Sequence, residues 1–277
     1  VIDYGIKDRV IYITGGGSGI GRAIALLAAR GGARVAVADA VAERAAEVAA
    51  ELRDLGVQAM GETLDVRDAQ ACDAVVARIE DKLGPLDGMV ACAGISPPSA
   101  ATAMSDEVWS RCLDVNLTGM FRSVRPVGQG MVKRKRGAIV TIASVDGLGG
   151  HAGRAHYSAS KHGVIGLTRA LAIEWGRHGV RINAVAPGVV DTPLVRANIP
   201  PDHLQYAMID RVPMGRLSSA AEQAGPTLFL LSDAASFVTG SVMTVDGGTS
   251  AGFFTRWNGA DLGSRALLEA GAYGEPE

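Results

Sequence analysis

The stretch Val10-Ile11-Tyr12-Ile13-Thr14-Gly15-Gly16-Gly17-Ser18-Gly19-Ile20-Gly21 decides how the rest of the chain is read. Its first five residues are apolar or β-branched and few in number, the pattern of a strand buried on both faces. Glycines then allow a tight turn, and Gly21–Arg30 follows with helical spacing. A strand, a glycine turn and a helix N-terminus together make an anion site. The unpaired N–H groups of the first helical turn and the positive end of the helix dipole face whatever the loop holds. Without a Cβ in the way, the backbone can approach a pyrophosphate closely. A glycine loop alone is also an ordinary turn; its place at the first strand–helix junction is what singles it out.

Outward from this loop the same rhythm repeats. Arg34–Ala38, Met89–Ala93, Ala138–Ile142, Arg181–Val185 and Val242–Val245 read as strands, and Ala42–Leu55, Ala69–Leu83, Val108–Val132 and Ser158–Gly176 as helices. Strand–helix alternation predicts right-handed crossovers and a parallel sheet covered on both faces, an α/β fold in one domain. The second strand runs into Asp39. An acid about twenty residues past a glycine loop can accept hydrogen bonds from ribose hydroxyls and repels a 2′-phosphate. Ala40 follows it and Ser18 precedes Gly19, so no basic residue is expected where a 2′-phosphate would sit; NAD is the expected cofactor. A solvated strand-end Asp is the plainer alternative.

The bulk properties narrow the class. The chain has 277 residues, 48% of them hydrophobic, and a formal net charge of −2, which offers no footprint for nucleic acid or an anionic membrane. The basic run Lys133–Arg136 reads as a helix end capped at Gly137, where cations suit the dipole. Cys72, Cys92 and Cys112 are odd in number and lack a Cys-x-x-Cys pattern, which fits a reducing cytoplasm and argues against a disulfide framework or zinc site. His151, His156, His162, His178 and His203 make no ligand spacing, so no metal is expected. No apolar run reaches membrane-spanning length, and no signal segment is visible at the N-terminus.

With these features the sequence resembles the short-chain dehydrogenase/reductase family, in its shorter single-domain branch. The resemblance rests on Thr14-Gly15-x-x-x-Gly19-x-Gly21, Asp65-Val66, Ala93-Gly94, Leu113-Asp114-Val115-Asn116, Ser144, Tyr157-Ser158-Ala159-Ser160-Lys161, Pro187-Gly188 with Thr192, and Val245-Asp246-Gly247-Gly248, in that order over residues 6 to 249. It implies a Rossmann-type doubly wound parallel sheet with helices on both faces. It also implies a cofactor site at Gly15, Gly17, Ser18, Gly19, Ile20, Asp39, Asp65, Val66, Ala93, Gly94, Pro187, Gly188, Val190 and Thr192, with Asp65 and Val66 at the adenine. Homotetramers are common in that family, and one is expected here. One departure stands out: Cys92-Ala93-Gly94 replaces the family's Asn-Ala-Gly, which is expected to exchange a structural hydrogen bond for packing and to leave Cys92 a buried, inert thiol.

Tyr157 and Lys161 lie at i and i+4, on one helix face. A free Tyr titrates near 10, so a base working near pH 7 needs roughly 4 kcal/mol of preferential phenolate stabilisation. An ammonium one turn away and the positive nicotinamide ring could supply much of it. The resemblance implies that Tyr157 exchanges the alcohol proton, Lys161 lowers its pKa and holds the nicotinamide ribose, Ser144 binds the reacting oxygen and Asn116 anchors a proton-relaying water. Asn116 read alone is equally a helix-kinking or satisfied buried amide. No nucleophile-elbow pattern surrounds Ser144, which argues against a hydrolase.

By the same resemblance Ser96, Val145, Asp146, His151 and Val189 should line a substrate pocket beside Ser144 and Tyr157, with a hydroxylated ring, polyol or sugar favoured. Thr192–Pro213, broken by Pro193, Pro200, Pro201 and Pro213, reads as a mobile lid of short helices in which Leu204, Tyr206 and Met208 supply an apolar surface. Residues 1–250 then form the domain and 251–277 an extension, whose Phe253, Phe254 and Trp257 should be buried on the lid or on another subunit. A catalytically silent NAD-binding sensor of the same fold is the competing reading; the complete Asn116–Ser144–Tyr157–Lys161 set argues against it.

Overall fold

The computed structural model describes residues 3–252, together with the backbone of Arg256–Trp257 and Ala260–Asp261. Seven parallel strands, β1 (Val10–Thr14), β2 (Arg34–Asp39), β3 (Ala59–Thr63), β4 (Gly88–Ala91), β5 (Gly137–Ile142), β6 (Val180–Pro187) and β7 (Val242–Val245), form one sheet in the order β3-β2-β1-β4-β5-β6-β7. The chain order reverses between β1 and β4, and Thr14 is in register with Ala38 on one side and Ala91 on the other. Crevices for ligands open at such a reversal, beyond the C-terminal strand ends.

Side-chain alternation along the strands builds two cores. Tyr12, Met89, Ile139 and Ile182 face α3 (Ala69–Leu83), α5 (Gly119–Arg134) and α6 (Ala155–Gly176). Ile11, Ile13, Val35 and Val140 face α1 (Gly19–Arg30), α2 (Ala42–Asp54) and α8 (Ala220–Leu231). The doubly wound, single-domain architecture expected from the sequence is thus present. Among the described residues no helix is long and apolar enough to cross a membrane.

Three local differences have physical reasons. The helix expected over Val108–Val132 is α4 (Asp106–Leu113), a π-helical turn at Asp114–Thr118 and then α5. The basic run does end α5, but Lys135 itself takes the left-handed turn at φ 57° and Gly137 opens β5. A Cβ at Gly137 would also meet Met131 Cβ at 2.9 Å, so a larger residue there would have to shift the end of α5. Strand β3 and helix α8 lie outside the sequence reading. The first is a half-exposed edge strand with no β-branched run, and the second carries Pro226 in its interior. The signal for α8 is its capping box, in which the Ser219 amide donates to the Glu222 carboxylate at 2.8 Å.

The segment after Thr192 does break into short pieces: α7 (Pro193–Asn198), one helical turn at Pro201–His203, a π-turn at Leu204–Met208 and a 3-10 turn at Ile209–Arg211. Phe253, Phe254 and the Trp257 side chain, on which the expectation for the extension rests, lie outside the described residues.

Candidate active site

A cavity of about 610 Å³ opens where the strand order reverses. Gly15, Ser18, Gly19 and Ile20 line it at the N-terminus of α1, and Asp39 at the end of β2. Asp65 and Val66 follow β3, Ala93 and Gly94 follow β4, and Pro187, Gly188, Val190 and Thr192 follow β6. Ser144 beyond β5 and Tyr157 and Lys161 on α6 complete the wall. Seven segments of the chain therefore converge on one space. Gly17, Asn116, Ser96, Asp146, His151, Val145 and Val189 are not among the residues that line it.

The loop has the form a dinucleotide requires. Gly15 has φ +64°, and a Cβ there would come within 2.8 Å of the Ala93 backbone, so only glycine lets the loop lie against the residues after β4. Thr14 Oγ1 accepts from the amides of Cys92 (3.2 Å) and Ala93 (3.4 Å), holding that junction. Cys92 packs against the core with part of its surface on the cavity wall, and burial pushes its thiol up to about 11.

At the far end of the cavity the Gly17 amide donates to Asp39 Oδ2 at 3.1 Å and the Val41 amide to Oδ1 at 3.0 Å. The Asp39 carboxylate is thereby fixed at the loop's edge. A Cβ on Gly17 would meet both Asp39 Oδ2 and Arg44 Cβ at 2.7 Å. Arg44 borders the cavity with Asp39, so a basic residue does stand near this end, contrary to the expectation from Ala40 and Ser18 alone. It lies in the first turn of α2, five residues beyond Asp39. Asp65 is paired side-on with Arg67, Oδ2 to Nη2 at 2.6 Å, and that guanidinium's hydrogen bonds hold the carboxyl below its usual range.

The four expected catalytic residues come together. Asn116 sits in the π-turn, fully buried, where its Oδ1 accepts from the Ile95 amide at 2.8 Å and its Nδ2 donates to the Ile95 carbonyl at 2.9 Å. Nδ2 also donates to Ser160 Oγ (3.1 Å), which donates to the Tyr157 carbonyl at 2.7 Å. The extra residue of a π-turn aims a side chain that a regular helix would not, and here it ties α4–α5 to the catalytic helix. Ser144 Oγ accepts from the Asp146 amide at 3.1 Å. Lys161 is 4% exposed; its Nζ donates to the Ile142 carbonyl at 2.7 Å and lies 5.6 Å from the Tyr157 ring centre.

The electrostatics of this protein alone differ from the expected depression of Tyr157. Burial raises the phenol above its ordinary value; the Asp146 charge raises it further, and a hydrogen bond with Ser144 opposes both. Lys161 carries its own desolvation cost, which brings its ammonium down to about 8. Tyr157 is thus held protonated, the state required of an acid.

On the substrate side, α7 supplies Leu194, Val195, Ala197 and Asn198 to the cavity wall. Leu204, Tyr206 and Met208 do not line it: Leu204 is buried, Tyr206 is exposed and the apolar cover comes from α7 instead. His151 Nδ1 lies 3.7 Å from Asp146 Oδ2 and its ring stacks 6.2 Å from that of His203, so the segment after Ser144 meets the lid segment through two imidazoles. Among the described residues no cluster of three or more His, Cys, Asp or Glu is placed to hold a metal ion.

Residues 15–250 match a family model described as enoyl-(acyl carrier protein) reductase. The acetoacetyl-CoA reductase of Synechocystis sp. is 40% identical over 248 residues, 89% of this chain and 98% of the relative. The cis-4-hydroxycyclohexanecarboxylate dehydrogenase of Sinomonas cyclohexanicum is 43% identical over 245 residues, 88% of this chain and 97% of that one. Among solved structures, levodione reductase superposes with a TM-score of 0.86 at 35% identity, covering 90% of this chain and all of the other. Sheet order, glycine loop, the convergence of Ser144, Tyr157 and Lys161, and these likenesses lead to one conclusion: the chain belongs to the short-chain dehydrogenase/reductase family of oxidoreductases, enzymes of alcohol and keto groups that use a nicotinamide dinucleotide.

Proposed function

We propose that this protein is an NAD-dependent dehydrogenase that interconverts a secondary alcohol and its ketone, with a hydroxylated ring, polyol or sugar as substrate. The observation that carries the reading is the placement of Tyr157, Ser144 and Lys161 on one wall of the cavity whose other end is the glycine loop and Asp39. Gly15, Ser18, Gly19 and Ile20 would hold the pyrophosphate, Asp39 the adenosine ribose, Asp65 and Val66 the adenine, and Lys161 the nicotinamide ribose. When bound, the cofactor supplies hydride acceptance and donation.

The chain's own groups handle the proton. Tyr157, held protonated by burial, donates to the ketone oxygen in reduction; in the reverse direction it is the phenolate, formed beside the Lys161 ammonium, that takes the alcohol proton. Ser144 holds that oxygen, and the Lys161 charge compensates the phenolate as it forms. Asn116, joined through Ser160 to Tyr157, would seat a water that passes the proton outward. The fixed Asp39 carboxylate favours NAD by repelling a 2′-phosphate, with Arg44 the cation that would welcome one if Asp39 were neutral. A ring alcohol agrees with the name of the Sinomonas relative.

We further propose a cytoplasmic homotetramer. Trp109 on α4, Phe121 on α5 and Ile173 on α6 are exposed by 40%, 39% and 83%, apolar surface that neighbouring subunits would cover. The test of function is a panel of cyclic and acyclic secondary alcohols with NAD and with NADP, following nicotinamide reduction. Turnover with NAD on at least one ring alcohol is expected. NAD binding without turnover of any alcohol or ketone would favour the silent sensor instead.

A further inference from the structure

Arg154 is left unexplained by cofactor binding and proton transfer. It is the N-cap of α6 and only 8% exposed, so a permanent cation is buried at the helix end whose dipole repels it. Nη1 donates to the Ser96 carbonyl and to Ser96 Oγ (3.0 Å), and Nη2 to the Asn198 carbonyl at 3.4 Å. All three acceptors are neutral. No carboxylate of the described residues lies within 4.0 Å of the guanidinium; Asp146, whose field reaches it, lies instead 3.7 Å from His151.

An arginine has five N–H donors in a rigid plane. Nε–H and one of the two N–H groups of Nη2 have no acceptor among the described residues. A buried cation lacking a counter-ion is costly, and burial does work against this one. Tyr157 lies three residues on, on the same helix face. Tyr157 and Asn198 both border the cavity, as does Ile95 next to Ser96.

We infer that Arg154 determines substrate specificity: its Nε–Nη2 edge receives the carboxylate of a hydroxy acid or keto acid whose oxygen-bearing carbon sits at Tyr157. That edge matches the two oxygens of a carboxylate side-on. The i, i+3 spacing sets the Cβ atoms of Arg154 and Tyr157 about 5–6 Å apart, so one small molecule can meet both side chains. Binding of the anion also draws Ser96 and Asn198, hence α7, onto the substrate. This specificity rests on the alcohol–ketone activity proposed above, but the site itself can be tested without turnover.

Cyclohexanecarboxylate and its uncharged isostere cyclohexanecarboxamide are titrated by calorimetry into the full chain, with and without NADH. The wild type should bind the acid at least tenfold more tightly than the amide. In Arg154→Gln, which keeps an amide donor for Ser96, the acid-to-amide ratio should fall to about one. Should Arg154→Gln fail to fold by circular dichroism, Arg154→Lys decides: it keeps the charge without the planar fork and should bind the acid several-fold more weakly. Equal wild-type affinity for acid and amide, an undiminished ratio in Arg154→Gln, or unchanged acid binding in Arg154→Lys would each overturn the assignment. Acid-selective binding in a chain that oxidises no alcohol would leave the anion site standing and remove the dehydrogenase reading.

Discussion

Lys161→Met should make this protein more stable and catalytically dead. The lysine is 4% exposed, and burial brings its ammonium from 10.5 to about 8. That fall corresponds to about 3 kcal/mol of folding stability forgone at neutral pH, where the group is charged in both folded and unfolded states. Methionine fills a similar unbranched volume without the charge. Against the gain stands the lost hydrogen bond from Nζ to the Ile142 carbonyl, worth about 1 kcal/mol because Ile142 borders the cavity and water can replace the donor. The net expectation is about 2 kcal/mol of added stability at pH 7, or a rise in melting temperature of roughly 4–8 °C for a chain of this size. The pH dependence supplies the sign. The folded pKa lies below the unfolded one, so the wild-type penalty is complete below about 8 and is lifted as pH rises towards 10.5. Urea unfolding of both proteins at pH 7 and pH 10 should therefore show the advantage of Lys161→Met shrinking towards zero or reversing. A variant less stable than wild type at pH 7, or a difference that does not change with pH, would refute the view that a strained buried charge is maintained here for function.

Tyr157→Phe removes only the hydroxyl, so folding and NAD binding should persist while kcat drops about 10²-fold or more; near-normal turnover would end its assignment as acid/base. Asp146→Asn removes one of the causes that raise the Tyr157 pKa, so the limb of the oxidation rate that climbs with pH should move to lower pH, read as a larger ratio of kcat/KM at pH 7 to pH 9. Asp39→Ala leaves Arg44 beside the adenosine end and should erode the preference for NAD over NADP by about tenfold or more, roughly 1.4 kcal/mol; an unchanged preference removes Asp39 from that role. Hydrogen exchange over 192–213 should slow in the ternary complex with NAD and substrate, and identical protection would make the segment a fixed wall.

The elements legible in the sequence are those in which local chemistry and final position agree. Val10–Thr14 could only be a strand buried on both faces, and the glycines after it could only be a turn approached closely by something else. Edge strand β3 escaped notice because it buries one face at most and so carries no apolar run. The π-turn at Asn116 was invisible because the apolar periodicity of α4 and α5 continues across it. Arg44 and Arg154 had no motif to announce them: a surface arginine and a buried, unpaired one are the same letter.

The sequence by itself therefore determined the layer architecture, the phosphate loop and the Tyr157–Lys161 pair, because hydrophobic period, glycine chemistry and i, i+4 spacing are local properties. Tertiary structure alone decided which side chains lose water and which charges then face one another. Burial raised Tyr157 and lowered Lys161, fixed Asp39 on the Gly17 amide, brought α7 and not Leu204 over the cavity, and left Arg154 without a carboxylate partner among the described residues. Desolvation and charge proximity depend on residues distant in the chain, so they exist only once the sheet has closed and its crevice has formed.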